Sequence, residues 1–303
     1  PMLRFTLVRL AATRHQMIVA DHHILLDGWS MPIVWRDLFE LYAGRGAALP
    51  PAAPLRDYLA WLAAQDRDAA VAAWQRYLAG ATATLIGTSA STARQLPAMS
   101  SVALTEAATQ ALVRVAGRCG VTLNTALQTA WALLLGRLTG RADVVFGITV
   151  SERPPEIAGI EAMVGLLINT VPLRVHLDPA EPMAAALARV QTTQLDMFPH
   201  RHLGLAELRR LGGGGELFDT YYVFQNYPDH ADPFSALPEL RIREQTDGAK
   251  GVSHYPLGVT VIPGERLELL LGYHPGLYDA AGIERIKREL VDVIDAIIAG
   301  AGA

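Results

Sequence analysis

The segment of residues 21–30 constrains the fold and chemistry of this chain more than any other. It reads DHHILLDGWS and follows a strand-like run at residues 15–20. Histidine readily accepts or donates a proton near neutral pH, so a histidine pair at a strand end suits acid–base chemistry. Asp27 lies among apolar residues, where an unpaired carboxylate is costly to bury, so we expect it to have a cationic or hydrogen-bonding partner. Gly28 allows a sharp turn, and Ser30 is predicted to be the N-cap of the next helix.

The histidines also have an ordinary interpretation. A single histidine beside an apolar run is more often packed and hydrogen-bonded than catalytic, and we adopt that interpretation for His22. The combination is more specific. Residues 22–28 match the pattern HHxxxDG, and with the following Trp29 and Ser30 they resemble the condensation domains of nonribosomal peptide synthetases. These domains belong to a superfamily of CoA- and carrier-dependent acyltransferases. The resemblance implies that His23 is the active-site residue and that Asp27 is mainly structural.

Composition excludes several other classes of protein. With 303 residues and 51% hydrophobic content, the chain can bury one large core or two smaller ones. The formal net charge of −4 lacks the excess of positive charge that is typical of proteins that bind nucleic acid or an anionic membrane surface. The single cysteine, Cys119, excludes an internal disulfide and favours a cytoplasmic location. No apolar run approaches the roughly 18 residues of a membrane helix, and no cluster has metal-ligand spacing.

Periodicity predicts the main elements. Alternation in residues 3–8 and the run 15–20 indicate a hairpin that turns near residues 11–14 and leads into the two histidines. Residues 81–103, rich in Ala, Ser and Thr, are predicted to connect two lobes. Thr105 can cap a helix, and Thr122 or Asn124 can cap a longer one. Helices are expected at 30–44, 55–66, 71–80, 105–120, 122–139, 181–198 and 280–298, with a buried strand at 143–150 and a hairpin at 258–273.

Further segments carry the resemblance along the chain. Residues 151–154 read SERP and resemble the family's Ser-Gly-Arg-Pro, whose arginine pairs with the motif aspartate, which implies that Arg153 pairs with Asp27. Residues 163–174 resemble the Gly-x-Phe-x-Asn-Thr segment, and Asn169 either ties loops together or faces a substrate channel. Residues 217–228 and 253–257 match two more segments. The candidate residues of the substrate channel are Trp29, Asn169, Asn226 and Ser253.

The resemblance implies an α/β architecture of two chloramphenicol-acetyltransferase-like lobes in a V, with His23 in a tunnel between them. We assign residues 1–95 to the N-terminal lobe and 96–303 to the C-terminal lobe. In the family a helix and several strands precede the motif, and here the chain opens inside the first strand. We therefore expect a first lobe truncated at its N-terminus, and a chain that is part of a longer polypeptide.

The implied activity is peptide-bond formation between a donor aminoacyl or peptidyl thioester and the amine of an acceptor aminoacyl thioester. No cofactor is expected to bind directly, because both substrates are carried on 4'-phosphopantetheine arms of carrier domains; an adenylation domain is the expected neighbour. Leu25, Leu26 and the segment 225–228 favour a D-configured donor terminus. The alternatives are an epimerisation domain, a catalytically silent recruitment platform of the same fold, and an acyltransferase that uses a diffusible CoA thioester.

Overall fold

The computed structural model describes residues 2–87, 96–226, 240–243 and 255–301. The chain forms two compact units. The smaller unit contains Pro1–Gln65, Ser151–Ile168 and Tyr227–Gln245, and the larger contains Asp66–Val150, Asn169–Asn226 and Thr246–Ala303. The first division therefore follows Gln65, whereas the sequence places the lobe boundary between residues 95 and 96. The reason is that the helix after Gln65 packs Trp74 and Leu78 into the core of the larger unit.

The smaller unit begins with the predicted hairpin. Strands β1 (Leu3–Ala11) and β2 (Arg14–Asp21) pair antiparallel. Helix α1 (Ser30–Tyr42) follows the histidine motif, and just beyond its end lies Gly44, whose positive φ of 74° is a conformation that favours glycine. Helix α2 (Leu55–Ala63) packs on the segment Ser151–Ile168 of the same unit, in a small apolar core made by Tyr58, Ile160, Met163 and Leu167.

The larger unit is built on one six-stranded mixed sheet with the strand order β3-β8-β7-β6-β4-β5. β6 lies parallel to both β4 and β7, whereas β8 is antiparallel to β7 and β3. The strands are β3 (Ala98–Ala103), β4 (Asp143–Ser151), β5 (Ile168–His176), β6 (Thr220–Phe224), β7 (Leu257–Ile262) and β8 (Glu268–Tyr273). The helices are α3 (Arg67–Leu78), α4 (Glu106–Arg118), α5 (Leu123–Thr139), α6 (Met183–Met197), α7 (Leu205–Leu211) and α8 (Ala280–Gly300).

Side-chain caps fix several helix starts. Thr105 accepts the N–H of Ala108 at the start of α4, as predicted. Of the two candidates for α5 it is Thr122 that caps the helix. The predicted bounds 55–66 and 71–80 are wrong by several residues because Asp66 is the N-cap of α3 and accepts the N–H of Ala69. The first helix therefore ends before this cap, and the second begins directly after it.

The edge strand β5 is protected by a side chain from α3. The hydroxyl of Tyr77 accepts the N–H of Arg174 at 2.7 Å and donates to the carbonyl of the same residue at 3.1 Å. It thus satisfies one residue's main-chain groups as a neighbouring strand would, and burial raises the pKa of Tyr77 to about 12. Pro172, in the same strand, lacks an N–H, which suits an edge position.

None of the described helices combines the length and the apolar composition that a membrane-spanning segment requires.

Candidate active site

The histidine pair lies in a tight turn directly after β2. The N–H of His22 donates to the carbonyl of Met2 at 2.8 Å, and the N–H of Leu25 donates to the carbonyl of His22 at 2.9 Å. Nδ1 of His22 accepts the N–H of Ile24 at 3.1 Å. Both imidazoles are exposed on the smaller unit. His22 thus has a local hydrogen bond, whereas the side chain of His23 makes none to the residues that the structure describes.

Asp27, only four residues beyond His23, is almost completely buried. Its Oδ1 accepts the N–H of Ser30 at 2.9 Å, and its Oδ2 accepts the N–H of Leu167 at 3.0 Å. The Nη2 of Arg153 lies 3.1 Å and 3.2 Å from the two oxygens. The ion pair predicted between Asp27 and Arg153 is therefore confirmed. Protein donors replace the water that this carboxylate loses on burial.

Arg153 bonds both to the histidine motif, through Asp27, and to the main chain of residues 160–163. Its Nη1 donates to the carbonyls of Ile160 at 2.7 Å and Met163 at 2.9 Å. Its guanidinium carbon lies 5.2 Å from the centroid of the Trp29 ring, within the range of a cation–π contact. Burial lowers the pKa of Arg153, and the charge of Asp27 opposes that shift. The indole N–H of Trp29, a predicted channel residue, donates to the carbonyl of Glu161 at 2.9 Å.

Ser30 does not cap the helix, contrary to the sequence-based prediction. It is the first residue of α1, and Trp29 occupies the N-cap with helical angles and no side-chain cap bond. The N–H of Ser30 already donates to the Asp27 carboxylate, so the aspartate performs the capping. The Ser30 hydroxyl instead accepts the N–H of Gly165 at 3.0 Å. Gly28 lies in the turn, as predicted, but without a positive φ, so the backbone conformation does not require glycine there.

Asn169 uses its side chain inside the larger unit. Its Nδ2 donates to the carbonyls of Arg201 and Leu203, both at 2.7 Å, and its Oδ1 accepts the N–H of Thr170 at 2.8 Å. Of the two roles that the sequence left open, these contacts favour loop tying. Its place in a substrate channel stays a prediction.

The remaining channel candidates are less informative. Asn226 is exposed just after β6, and Ser253 lies outside the described residues. Of the predicted strand-like segment 217–228, residues 220–224 form β6, and the last two residues are likewise outside the description. Among the described residues, no group of His, Cys, Asp and Glu side chains is arranged to hold a metal ion.

Sequence reasoning missed the main-chain groups that complete the site. Gly165 accepts the N–H of Asp27 at 3.1 Å, and Leu167 both donates to Asp27 and accepts the N–H of Glu152 at 2.8 Å. A main-chain amide has no side-chain signature. The resemblance of residues 163–174 to a family segment was the available signal that this stretch contributes to the site.

Comparison with known proteins identifies the family. The condensation domain family matches residues 1–302, and the chain belongs to it. It is 38% identical over 285 residues to chondramide synthase of Chondromyces crocatus, covering 90% of this chain and 7% of that protein. It is 33% identical over 316 residues to bacitracin synthase 3 of Bacillus licheniformis, covering 98% of this chain and 5% of that synthase. The chain thus spans a small fraction of these relatives.

Solved structures agree on the fold. The first condensation domain of the calcium-dependent antibiotic synthetase, in complex with a substrate analogue, matches with a TM-score of 0.73 and 22% identity, covering 100% of this chain and 68% of that one. The predicted α/β fold of the chloramphenicol-acetyltransferase type is therefore confirmed. Condensation domains of nonribosomal peptide synthetases are amide-forming acyltransferases.

Proposed function

We propose that this domain forms a peptide bond between a donor aminoacyl or peptidyl thioester and the amine of an acceptor aminoacyl thioester. Both substrates are carried on the 4'-phosphopantetheine arms of peptidyl carrier domains, and an adenylation domain is a neighbour in the same synthetase. The function rests on family membership and on one observation in particular. The motif is complete, and it combines an exposed His23 with a buried Asp27 that is ion-paired with Arg153.

The reaction requires a proton to leave the attacking amine. Its nitrogen attacks the thioester carbonyl carbon, the C–S bond breaks, and the leaving thiolate takes up a proton, so that an amide and a free thiol result. An α-amino group has a reference pKa of about 8, and a neutral imidazole is a reasonable acceptor for its proton. In this proposal His23 accepts the proton from the amine, or a hydrogen bond from it, and the proton ends on the thiol.

Positioning is expected to contribute more than proton transfer. General-base help is typically worth about 10²–10⁴-fold, while holding two reactants aligned corresponds to effective molarities of about 10⁵ M or more. A residue that orients the amine by one hydrogen bond serves both purposes. The Asp27–Arg153 pair has no direct chemical part in this scheme, because both side chains are buried and bonded to each other.

The experiment is peptide formation by the domain within its polypeptide, supplied with a donor and an acceptor carrier domain loaded with aminoacyl groups. We expect the product peptide on the acceptor carrier, and a loss of about 10²–10⁴-fold when His23 is replaced by alanine. His15→Ala is the matched control, because His15 is another exposed histidine, on β2 of the same unit. A His23→Ala protein that condenses at the parental rate would disprove the assignment.

The same assay separates the alternatives. An epimerisation domain would return the donor with an inverted α-carbon and no peptide, a recruitment platform would return both substrates unchanged, and a diffusible-substrate acyltransferase would accept a free CoA thioester. We further propose a D-configured donor terminus, on the basis of Leu25, Leu26 and the segment 225–228. Parallel assays with D- and L-terminated donors test this, and a preference for the L donor would overturn it.

A further inference from the structure

We propose that Ser30 is a positioning residue for His23, acting through the carboxylate of Asp27 and the main chain of Gly165. The inference deepens the proposed function, since it assigns a further residue to the same site. Ser30 is completely buried, and although it is the first residue of α1, its hydroxyl does not cap the helix N-terminus, which is the usual role of a serine there.

The geometry requires a group that both donates and accepts. Oγ of Ser30 accepts the N–H of Gly165 at 3.0 Å, and it lies 2.7 Å from Oδ1 of Asp27 and 2.9 Å from the carbonyl oxygen of Gly165. A hydroxyl has one proton to donate and lone pairs to accept with. Alanine at this position would leave the buried N–H of Gly165 without an acceptor and remove a donor from the Asp27 carboxylate.

These contacts reach His23 through a short stretch of main chain. The turn is fixed at its start by the hydrogen bond from His22 to Met2, and at its end by the hydrogen bond from Asp27 to Gly165. Between these points the His23 side chain has no hydrogen bond to the described residues. The position of its imidazole is therefore set by the backbone of the turn. Loosening the Ser30 end of the turn moves or disorders the imidazole without touching it.

The test compares Ser30→Ala with a buried hydroxyl elsewhere. The control is Thr109→Val, because Thr109 is buried in the larger unit and accepts the N–H of Leu267 at 3.0 Å. Histidine-labelled protein is observed by NMR, and the His23 resonance is assigned by its absence in His23→Ala. We expect Ser30→Ala to shift or broaden that resonance and Thr109→Val to leave it unchanged, although both variants lose a buried hydrogen bond.

Kinetics give a second readout. We expect kcat for peptide formation to fall by about 10- to 100-fold, since a misplacement of about 1 Å can cost about 10²-fold, with KM for the acceptor carrier unchanged. Ser30→Thr retains the hydroxyl and is expected to restore kcat. If Ser30→Ala does not fold, Ser30→Cys is measured instead, because a thiol is a weak donor and acceptor and an intermediate loss is expected.

The outcomes separate this inference from the proposed function. A parental domain that forms no peptide contradicts the proposed function, and the NMR comparison then still decides the role of Ser30. A Ser30→Ala or Ser30→Cys protein whose His23 resonance matches that of the parent would show that Ser30 contributes only to stability, and the inference would be wrong.

Discussion

The two ends of the histidine motif meet opposite physical demands. His22 and His23 are exposed, and their only side-chain hydrogen bond to the described residues is the local contact of His22 with Ile24. Asp27 and Ser30 are buried and hydrogen-bonded on several sides. The motif thus combines exposed histidines, which must remain accessible, with buried polar side chains, whose hydrogen-bonding groups must be satisfied. Because the two parts are only a few residues apart, the buried part can hold the exposed part in place.

The buried part is costly to build and intolerant of change. Moving a carboxylate and a guanidinium out of water carries a large desolvation penalty. Their mutual attraction offsets this penalty only when further hydrogen bonds satisfy the remaining donors and acceptors of both groups. The side chains of Arg153 and Asp27 are 4% and 0% exposed. Such a pair is weak evidence for net stability, but removing one member leaves an uncompensated buried charge.

The largest effect on stability is expected for Asp27→Ala. Stranding Arg153 in a buried position should lower the free energy of unfolding by about 3–5 kcal/mol. Urea denaturation followed by fluorescence and circular dichroism measures the change. The control is Asp37→Ala, which removes a partly exposed ion pair with Arg36, the two side chains being 41% and 39% exposed, and should change stability by less than about 1 kcal/mol. Equal losses in the two variants would remove the distinction between the buried and the exposed pair.

A smaller loss is expected for Arg153→Lys. Lysine keeps the positive charge but cannot bond Asp27 and the carbonyls of Ile160 and Met163 with one planar fork. Leaving buried acceptors unsatisfied should cost about 1–3 kcal/mol. Denaturation in the same buffer measures it. A fully stable Arg153→Lys protein would show that charge alone, and not the guanidinium geometry, holds the two segments together.

The larger unit offers a more exposed version of the same pair. Arg174 donates through Nε and Nη2 to Asp143, and the two side chains are 24% and 26% exposed. The hydrogen bond to Asp143 raises the pKa of Arg174. We expect Asp143→Ala to cost about 1 kcal/mol, because solvent screens a partly exposed pair. Raising the salt concentration should reduce this loss but leave the Asp27→Ala loss nearly unchanged. Equal salt dependence would contradict the comparison.

Some of these features could be predicted from local sequence patterns or from the cost of burying charge, whereas others depend on tertiary contacts that no local pattern encodes. The hairpin and helix α1 follow from the spacing of apolar residues and from Gly44. The need for a partner of Asp27 follows from the cost of burying a carboxylate, whereas the choice of Arg153 came from the family resemblance. The contacts of Gly165 and Leu167 could not be anticipated, because every residue carries the same main-chain amide and only the tertiary fold decides which amides meet the motif.

The larger sheet shows the same limit. Strands β7 and β8 were predictable because they adjoin in sequence and share a Pro-Gly-containing turn. The placement of β6 between β4 and β7 joins segments that are far apart along the chain, and no local pattern encodes such pairings. The helix boundary at Asp66 was missed because an aspartate can end one helical pattern as easily as it caps the next.

The smallest effect on stability is expected for the exposed part of the motif. Nδ1 of His22 accepts only the N–H of Ile24, a local contact at the surface, so His22→Ala should change the free energy of unfolding by less than about 0.5 kcal/mol. The sequence predicts a packed and hydrogen-bonded His22; the side chain is hydrogen-bonded but exposed, which argues for this small value. His23→Ala should be equally mild in urea denaturation while it abolishes most peptide formation. If either histidine variant lost as much free energy of unfolding as Asp27→Ala, the exposed part of the motif would also stabilise the fold. The division of the motif into an exposed part and a buried part with different roles would then be wrong.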